Sequence, residues 1–197
     1  MFDKEFFQSL AIAAVLAFFI ITFVAQSFVV DGSSMDPTLT DGERLFVNKF
    51  IYRFQPPERG DIIVFTPQDI PRARYIKRVI GLPGETVEIR DGITYIDGEP
   101  LEEEQYIKSK KDNDHYGPRT VPEDSVFVLG DNRRNSKDSR QRGVGFVDYD
   151  SIAGRAFWVY WPLPGMRLIN HYEYNELSSN LTLQSTISNQ EIGGIAV

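Results

Sequence analysis

The sequence predicts a mainly β domain that follows one N-terminal transmembrane helix. A long uncharged run near the N-terminus, residues 10–30, predicts the helix. Short apolar segments separated by glycine and proline turns predict the strands, and Asp91-Gly92 between two such segments is a strong hairpin signal. A chain of 197 residues has room for one such domain with a small insert.

The apolar run is interrupted only by Thr22, Gln26 and Ser27. As a helix it would span roughly 31 Å, about the thickness of a bilayer core. A cleaved signal peptide and a buried core helix are the alternatives. The run is longer than the apolar core of an ordinary signal peptide, and residues 25–27 match a cleavage site only marginally. We therefore predict an uncleaved anchor that follows a cytoplasmic segment, residues 1–9, with the remaining chain outside the cytoplasm.

Seven segments with alternating or continuous apolar residues predict strands: 44–52, 62–65, 74–80, 86–90, 93–96, 125–129 and 152–161. Residues 99–120 are rich in charge and predict a solvated excursion. The main domain is expected over 31–164, outside the cytoplasm, and a C-terminal segment, 165–197, is expected to be partly disordered because it turns polar.

Composition excludes several functions. The net charge of −7 disfavours nucleic-acid binding, and the absence of cysteine excludes disulfides, thiol catalysis and cysteine zinc sites. The two histidines, His115 and His171, lie in a hydrophilic loop and in the C-terminal segment. Neither setting is typical of a walled catalytic site, so a Ser-His-Asp triad is disfavoured.

A candidate nucleophile lies just after the apolar run. Residues 32–39 read GSSMDPTL, a turn of small residues closed by Pro37 that would expose Ser34. Such a serine needs a base, and a lysine can serve if burial depresses its pKa. Lys77 lies in a strand with apolar residues on both faces; the alternative is a strand lysine that extends its ammonium into water.

A third segment, residues 130–140, reads GDNRRNSKDSR. A calcium loop is excluded because Arg133 occupies a ligand position and no glycine stands at the sixth. A solvated charged loop is the simple alternative. Asp138 and Arg140 could instead form an ion pair, and Ser136 could hydrogen-bond an amine.

Together, SMDPTL at 34–39, YIKR at 75–78 with GLPG at 81–84, and the 130–140 segment resemble type I signal peptidase. The three blocks occur in the family's order, and the resemblance covers roughly residues 30–162. It implies a membrane-anchored Ser/Lys protease that removes signal peptides from exported proteins, with a β-rich core and an inserted β region at about 85–122.

The resemblance also implies the role of each matching residue. Ser34 matches the nucleophile and Lys77 the general base, while Ser136, Asp138 and Arg140 match groups that support them. Gly32 stands where some members have a serine in the oxyanion hole, so only backbone donors are assured. Residues matching the pockets for small substrate side chains are Val30, Met35, Leu39, Tyr75 and Ile76.

The resemblance implies no cofactor and no metal. The predicted partners are signal peptides of exported preproteins, the lipid bilayer and the protein-export translocon, with no nucleic acid. The host membrane would be of plasma or thylakoid type. Two alternatives remain: a catalytically inactive membrane-anchored β adaptor, which the presence of both Ser34 and Lys77 disfavours, and a self-cleaving repressor-type Ser/Lys protease. The latter would require an N-terminal DNA-binding domain where this chain has its apolar run.

Overall fold

The computed structural model describes residues 4–23, 25–107 and 113–170. It contains one α-helix, α1 (Lys4–Phe23), and twelve strands in these residues. The strands are β1 (Ala25–Val29), β2 (Arg44–Asn48), β3 (Ile62–Phe65), β4 (Tyr75–Gly81), β5 (Thr86–Arg90), β6 (Ile93–Ile96), β7 (Glu99–Pro100), β8 (Tyr116–Thr120), β9 (Ser125–Leu129), β10 (Val147–Asp148), β11 (Ile152–Trp161) and β12 (Arg167–Leu168). Single 3-10 turns occupy Ile51–Arg53, Tyr149–Ser151 and Leu163–Gly165. The predicted mainly β class is confirmed.

The larger sheet has the strand order β1-β2-β11-β3-β4-β9-β10, and β12 pairs with β11. Its central strands β3 and β9 are buried along their whole length, which explains their continuous apolar sequence. The paired strands β3 and β4 place Ile63 opposite Lys77. Because β4 lies inside the sheet, its side chains are held between packed neighbours.

A second sheet has four strands in the order β7-β6-β5-β8. Asp91 and Gly92 join β5 to β6, and both residues have positive φ angles, 49° and 76°. A tight two-residue turn of this kind requires positive φ at both positions, which Asp-Gly supplies. The sheet packs its apolar side chains against one face of β9, in a buried cluster that includes Val87, Ile89 and Phe127.

The helix predicted over 10–30 ends earlier than expected. It stops at Phe23, and residues 25–29 form β1, an edge strand that pairs with β2. Ladder hydrogen bonds with β2 satisfy the backbone there, so tertiary pairing overrides the apolar pattern that favoured helix. In the described part of the chain, no helix is both long and apolar enough to cross a membrane.

The expectation of a solvated excursion over 99–120 is wrong for much of that segment. Glu103, Tyr106 and Ile107 are buried, and β7 and β8 lie within it. Glu103 can be buried because the Arg133 guanidinium pairs with it. The segment expected to be disordered, 165–197, begins with an ordered strand, β12; its residues 171–197 lie outside the described part of the chain.

Candidate active site

The serine candidate lies in the loop that joins β1 to β2. Backbone hydrogen bonds from Val30 to Glu43 and from Gly42 to Val30 close the base of this loop. Met35 and Leu39 are completely buried and fix its inner side in the core. The loop is therefore anchored at its ends and underneath, and Ser34 lies on the side that faces β4.

Lys77 extends from β4 toward this loop and is 3% exposed. Its Nζ lies 2.7 Å from Ser34 Oγ and 2.7 Å from the Ile76 carbonyl oxygen. Burial lowers the pKa of Lys77 from 10.5 to about 8, although the negative charges of Asp138 and Asp131 oppose this shift. A substantial fraction of this amine is therefore neutral in mildly alkaline solution, as a general base requires.

Residues 130–135 hold the serine loop from the other side. The Asn132 amide N–H donates to the Ser34 carbonyl at 3.1 Å, and its side chain donates to the Ser33 carbonyl at 3.0 Å. The Asn135 side chain donates to Ser33 Oγ at 2.9 Å. Gly130 packs so closely that an added Cβ would collide with the Ser34 carbonyl oxygen. These contacts fix the backbone that carries the candidate nucleophile.

Ser136 lies next to this contact, but it does not hydrogen-bond Lys77 in the manner that its predicted role suggests. Its Oγ is buried without a hydrogen bond of normal geometry. It nevertheless faces the Asp138 carboxylate and helps to lower the pKa of that group.

Asp138 and Arg140 form a buried ion pair beside the serine loop. Arg140 Nε and Nη2 donate to the two carboxylate oxygens of Asp138, each at 2.8 Å. Gly130 N–H donates to the same carboxylate at 3.1 Å. Burial opposes the charge of Asp138, but Arg140 outweighs it and lowers the pKa of that carboxyl. Arg140 also pairs with Asp114, so its charge is shared between two carboxylates.

A second buried pair joins Arg78, the residue after Lys77 on β4, to Asp131. Arg78 Nε and Nη2 donate to Asp131 at 2.9 and 2.7 Å, and both side chains are almost completely buried. Thr38 Oγ1 donates to the same carboxylate at 2.5 Å. Because Asp131 is neutralised by Arg78, its opposition to the lowered pKa of Lys77 is limited.

Ser34 and Lys77 open onto a cleft of about 420 Å³ between β1 and the start of β4. Its lining residues are Phe28, Val29, Val30, Asp31, Ser34, Leu45, Val64, Ala73, Arg74, Tyr75, Ile76, Lys77 and Lys137. Of the predicted substrate-binding residues, Val30, Tyr75 and Ile76 line this cleft. Met35 and Leu39 lie beneath it in the core instead, with no exposed surface.

The histidine settings differ sharply from that of Lys77. The His115 side chain is 61% exposed and lies 3.4 Å from Asp91, at the hairpin of the smaller sheet. His171 lies outside the described residues.

Gly32 has a φ angle of +87° and donates its N–H to Asp41 at 2.7 Å. That conformation suits glycine, although the space around it is open.

Several residues of the site were missed by sequence reasoning. Asn132 and Asn135 were part of the 130–140 segment but received no role, and Gly130 received none either. Arg167 and Glu43 were missed because their pairing joins positions far apart in the chain. For Gly130, Asn132 and Asn135, the available signal was their place in the 130–140 segment, where they stand among charged residues.

Comparison with known proteins identifies the family of the chain. Residues 3–161 match the family described as signal peptidase, peptidase S26. A probable signal peptidase I-2 of Synechocystis sp. is 43% identical, with 84% of this chain and 76% of the relative covered. Signal peptidase I of Leptolyngbya laminosa is 46% identical, with 81% and 80% covered.

Signal peptidase I S of Bacillus subtilis is 41% identical to this chain, with 84% of this chain and 93% of the relative covered. A crystal structure of a signal peptidase I from Enterococcus faecalis V583 has 38% identity and a TM-score of 0.42, and covers 51% of this chain and 97% of that one. The chain belongs to the signal peptidase family, peptidase S26. Membership makes it a serine endopeptidase.

Proposed function

We propose that this chain cleaves signal peptides from exported preproteins with Ser34 as nucleophile and Lys77 as general base. The observation that carries the proposal is the 2.7 Å contact between a buried lysine amine and a serine hydroxyl at the wall of a cleft. The names of the similar proteins support the substrate class. The alternative of an inactive adaptor does not explain why Lys77 is buried, because burial of a charged amine costs free energy of folding.

In the proposed reaction, the neutral amine of Lys77 accepts the Ser34 proton as Oγ attacks the scissile carbonyl carbon. The resulting tetrahedral intermediate collapses to an acyl-enzyme when the ammonium of Lys77 protonates the leaving amine. Water then attacks the ester, and the same amine accepts a proton from that water. The second tetrahedral intermediate then releases the acid as Lys77 passes that proton to Ser34 Oγ, which restores the serine hydroxyl and the neutral amine.

The developing negative charge on the carbonyl oxygen needs donors, and the Ser34 N–H is the first that we propose. Loss of one such donor typically costs about 10²–10³ in rate. Gly32 brings no side chain, and its own N–H is already donated to Asp41. The second donor is therefore a backbone group elsewhere or a water molecule.

The cleft suits an extended substrate with small side chains. Val30 and Ile76 provide apolar contacts on its two walls, and Ser34 and Lys77 lie between them. Because β1 is an edge strand with β2 on one side only, its free edge can pair with an added peptide backbone. Small side chains near the cut would let that backbone approach the nucleophile.

The proposal also includes an anchor at the N-terminus. The part of the uncharged run that precedes β1 supports it, since residues 25–29 of that run belong to the sheet. A substrate held in the same bilayer would then meet the site at a raised local concentration. Extraction of membranes with alkaline carbonate would release the chain if this part of the proposal is wrong.

The function is tested by cleavage of a preprotein in detergent. Wild type should release the mature protein, whereas Ser34→Ala and Lys77→Ala should be inactive at an unchanged thermal midpoint. His115→Ala is the matched control and should cleave normally, since its side chain is exposed and does not line the cleft. Normal cleavage by either site variant would refute the proposed pair.

A further inference from the structure

The segment that begins with β12, after the 3-10 turn that follows β11, contacts the serine loop. We term residues 167–169 the C-terminal brace. Arg167 Nη1 and Nη2 donate to the two carboxylate oxygens of Glu43 at 2.7 and 2.9 Å. Nη2 also donates to the Thr38 carbonyl oxygen at 2.7 Å. Arg167 therefore holds two points of the loop that carries Ser34.

Both contact points bear on the position of Ser34. Glu43 closes the base of the loop, because its carbonyl accepts the Val30 N–H and its carboxylate accepts the Thr40 N–H at 3.1 Å. Thr38 lies four residues after Ser34, and its hydroxyl joins the buried pair of Arg78 and Asp131. Thr38 is thus held by its carbonyl from one side and by its hydroxyl from the other.

The electrostatics and packing of the C-terminal brace agree with a fixed contact. Burial opposes the charge of Glu43, but Arg167 and the Thr40 N–H outweigh it and lower the pKa of that carboxyl. Glu43 is 6% exposed, so its charge without a partner would be costly. Ile169 belongs to the same buried cluster as Met35 and Leu39, which anchor the loop from beneath.

We infer that Arg167 is a positioning residue that holds the Ser34 loop in its reactive geometry through Glu43 and Thr38. This inference rests on the proposed role of Ser34. Arg167 lies beyond residues 3–161, the part that matches the family, so the family match does not assign it a role. The two terminal nitrogens of Arg167 reach both carboxylate oxygens of Glu43 and the Thr38 carbonyl together, a bidentate geometry that the single nitrogen of a lysine cannot reproduce.

The test uses the full-length enzyme and a short peptide substrate. Arg167→Lys keeps a positive charge beside Glu43 but loses the bidentate geometry that fixes Glu43 and Thr38 together, and we expect kcat to fall about tenfold with KM nearly unchanged. Arg167→Ala should lose more, up to about 100-fold. In both variants the pH at which activity is half-maximal should stay at about 8, since Lys77 and its surroundings are unaltered.

Two controls separate positioning from general destabilisation. Val87→Ala truncates a buried side chain of the smaller sheet and should lower the thermal midpoint while kcat is retained. Arg90→Lys alters an exposed arginine on β5 and should change nothing. Wild-type kcat in both Arg167 variants would overturn the inference, as would an equal loss of kcat in Val87→Ala. A pH midpoint that moves toward 10.5 would overturn it too, because water would then have reached Lys77.

The same assays distinguish failure of this inference from failure of the proposed function. If Ser34→Ala still cleaves, the proposed nucleophile is wrong and the C-terminal brace has nothing to position. If Ser34→Ala is inactive while both Arg167 variants cleave at the wild-type rate, the dyad stands and only the brace is refuted.

Discussion

Lys77 Nζ and Ser34 Oγ lie 2.7 Å apart although 43 positions separate the two residues in the chain. The lysine comes from an interior strand and the serine from a loop beside an edge strand. Burial supplies the lowered pKa of the amine, and contacts from Asn132 fix the backbone that carries the hydroxyl. The chemistry that we propose depends on this combination of contact and desolvation.

Replacement of the lysine by arginine is the first prediction. Lys77→Arg keeps a positive charge and a similar length, but guanidinium stays protonated and cannot accept the Ser34 proton. We expect a loss of at least about 10³ in kcat, at the level of Lys77→Ala. Peptide cleavage measures the rate, and circular dichroism checks the fold. Detectable turnover near the wild-type rate would assign the base to another group.

The second prediction concerns pH. Because the pKa of Lys77 is lowered to about 8, the neutral, active form accumulates as pH rises through that value. The rate of peptide cleavage should therefore increase with pH, with an apparent pKa of about 8, and then level off. A double variant, His115→Ala with His171→Ala, should show the same curve. If the rising limb disappears in that variant, a histidine is the titrating group.

Stability should depend on pH through the same residue. The pKa of Lys77 in the folded state lies below its ordinary value of 10.5, so the unfolded chain binds more protons between these values. This group therefore destabilises the fold below about pH 8, and the cost disappears as pH rises to about 10.5. Relative to Lys77→Met, the wild type should gain about 3 kcal/mol of unfolding free energy over that range. Denaturant unfolding at several pH values measures it, and parallel curves for the two proteins would contradict it.

Gly32 gives a prediction with a close internal control. Gly32 and Gly98 have almost the same φ, +87° and +88°, and an added Cβ meets no atom within 4 Å at either position. Alanine should therefore cost each about 1–2 kcal/mol of backbone strain. Only Gly32→Ala should also lower kcat, because it lies two residues before Ser34. Equal activity of the two variants would show that the Gly32 conformation does not bear on catalysis.

Gly130 tests the contact between the 130–135 segment and the serine loop. An alanine Cβ there would collide with the Ser34 carbonyl and with Ser136, and a backbone carbonyl has little freedom to move. We expect Gly130→Ala to lower kcat by about 10² or more. Gly84→Ala, in an open turn, is the control for thermal stability. Full activity of folded Gly130→Ala would mean that the loop tolerates displacement.

Local sequence patterns predicted several strands of the sheets, because the order of apolar residues in a strand reflects which of its side chains are buried. The segment 62–65 is continuously apolar and is fully buried as β3, and Asp91-Gly92 joins two strands with the predicted bounds. The motif blocks also drew attention to Ser34 and Lys77. The exposure of Lys77 could not be read from its strand, because Arg78 has the same apolar neighbours.

Features that depend on distant partners were not predictable. Glu103 looked solvated until Arg133, from another segment, was seen to pair with it. Residues 25–29 looked helical because their pairing with β2 is a tertiary event. The sequence after Pro164 turns polar, and that pattern concealed the role of Arg167, whose acceptors lie in the loop between β1 and β2.

The most direct test of the account is to trap the acyl-enzyme. Wild type is mixed with a preprotein, quenched with acid within one turnover, digested and analysed by mass spectrometry. The account predicts that the C-terminal residue of the signal peptide is esterified to Ser34, and that no adduct forms with Ser34→Ala. An adduct on any other residue, or continued cleavage by Ser34→Ala, would contradict it.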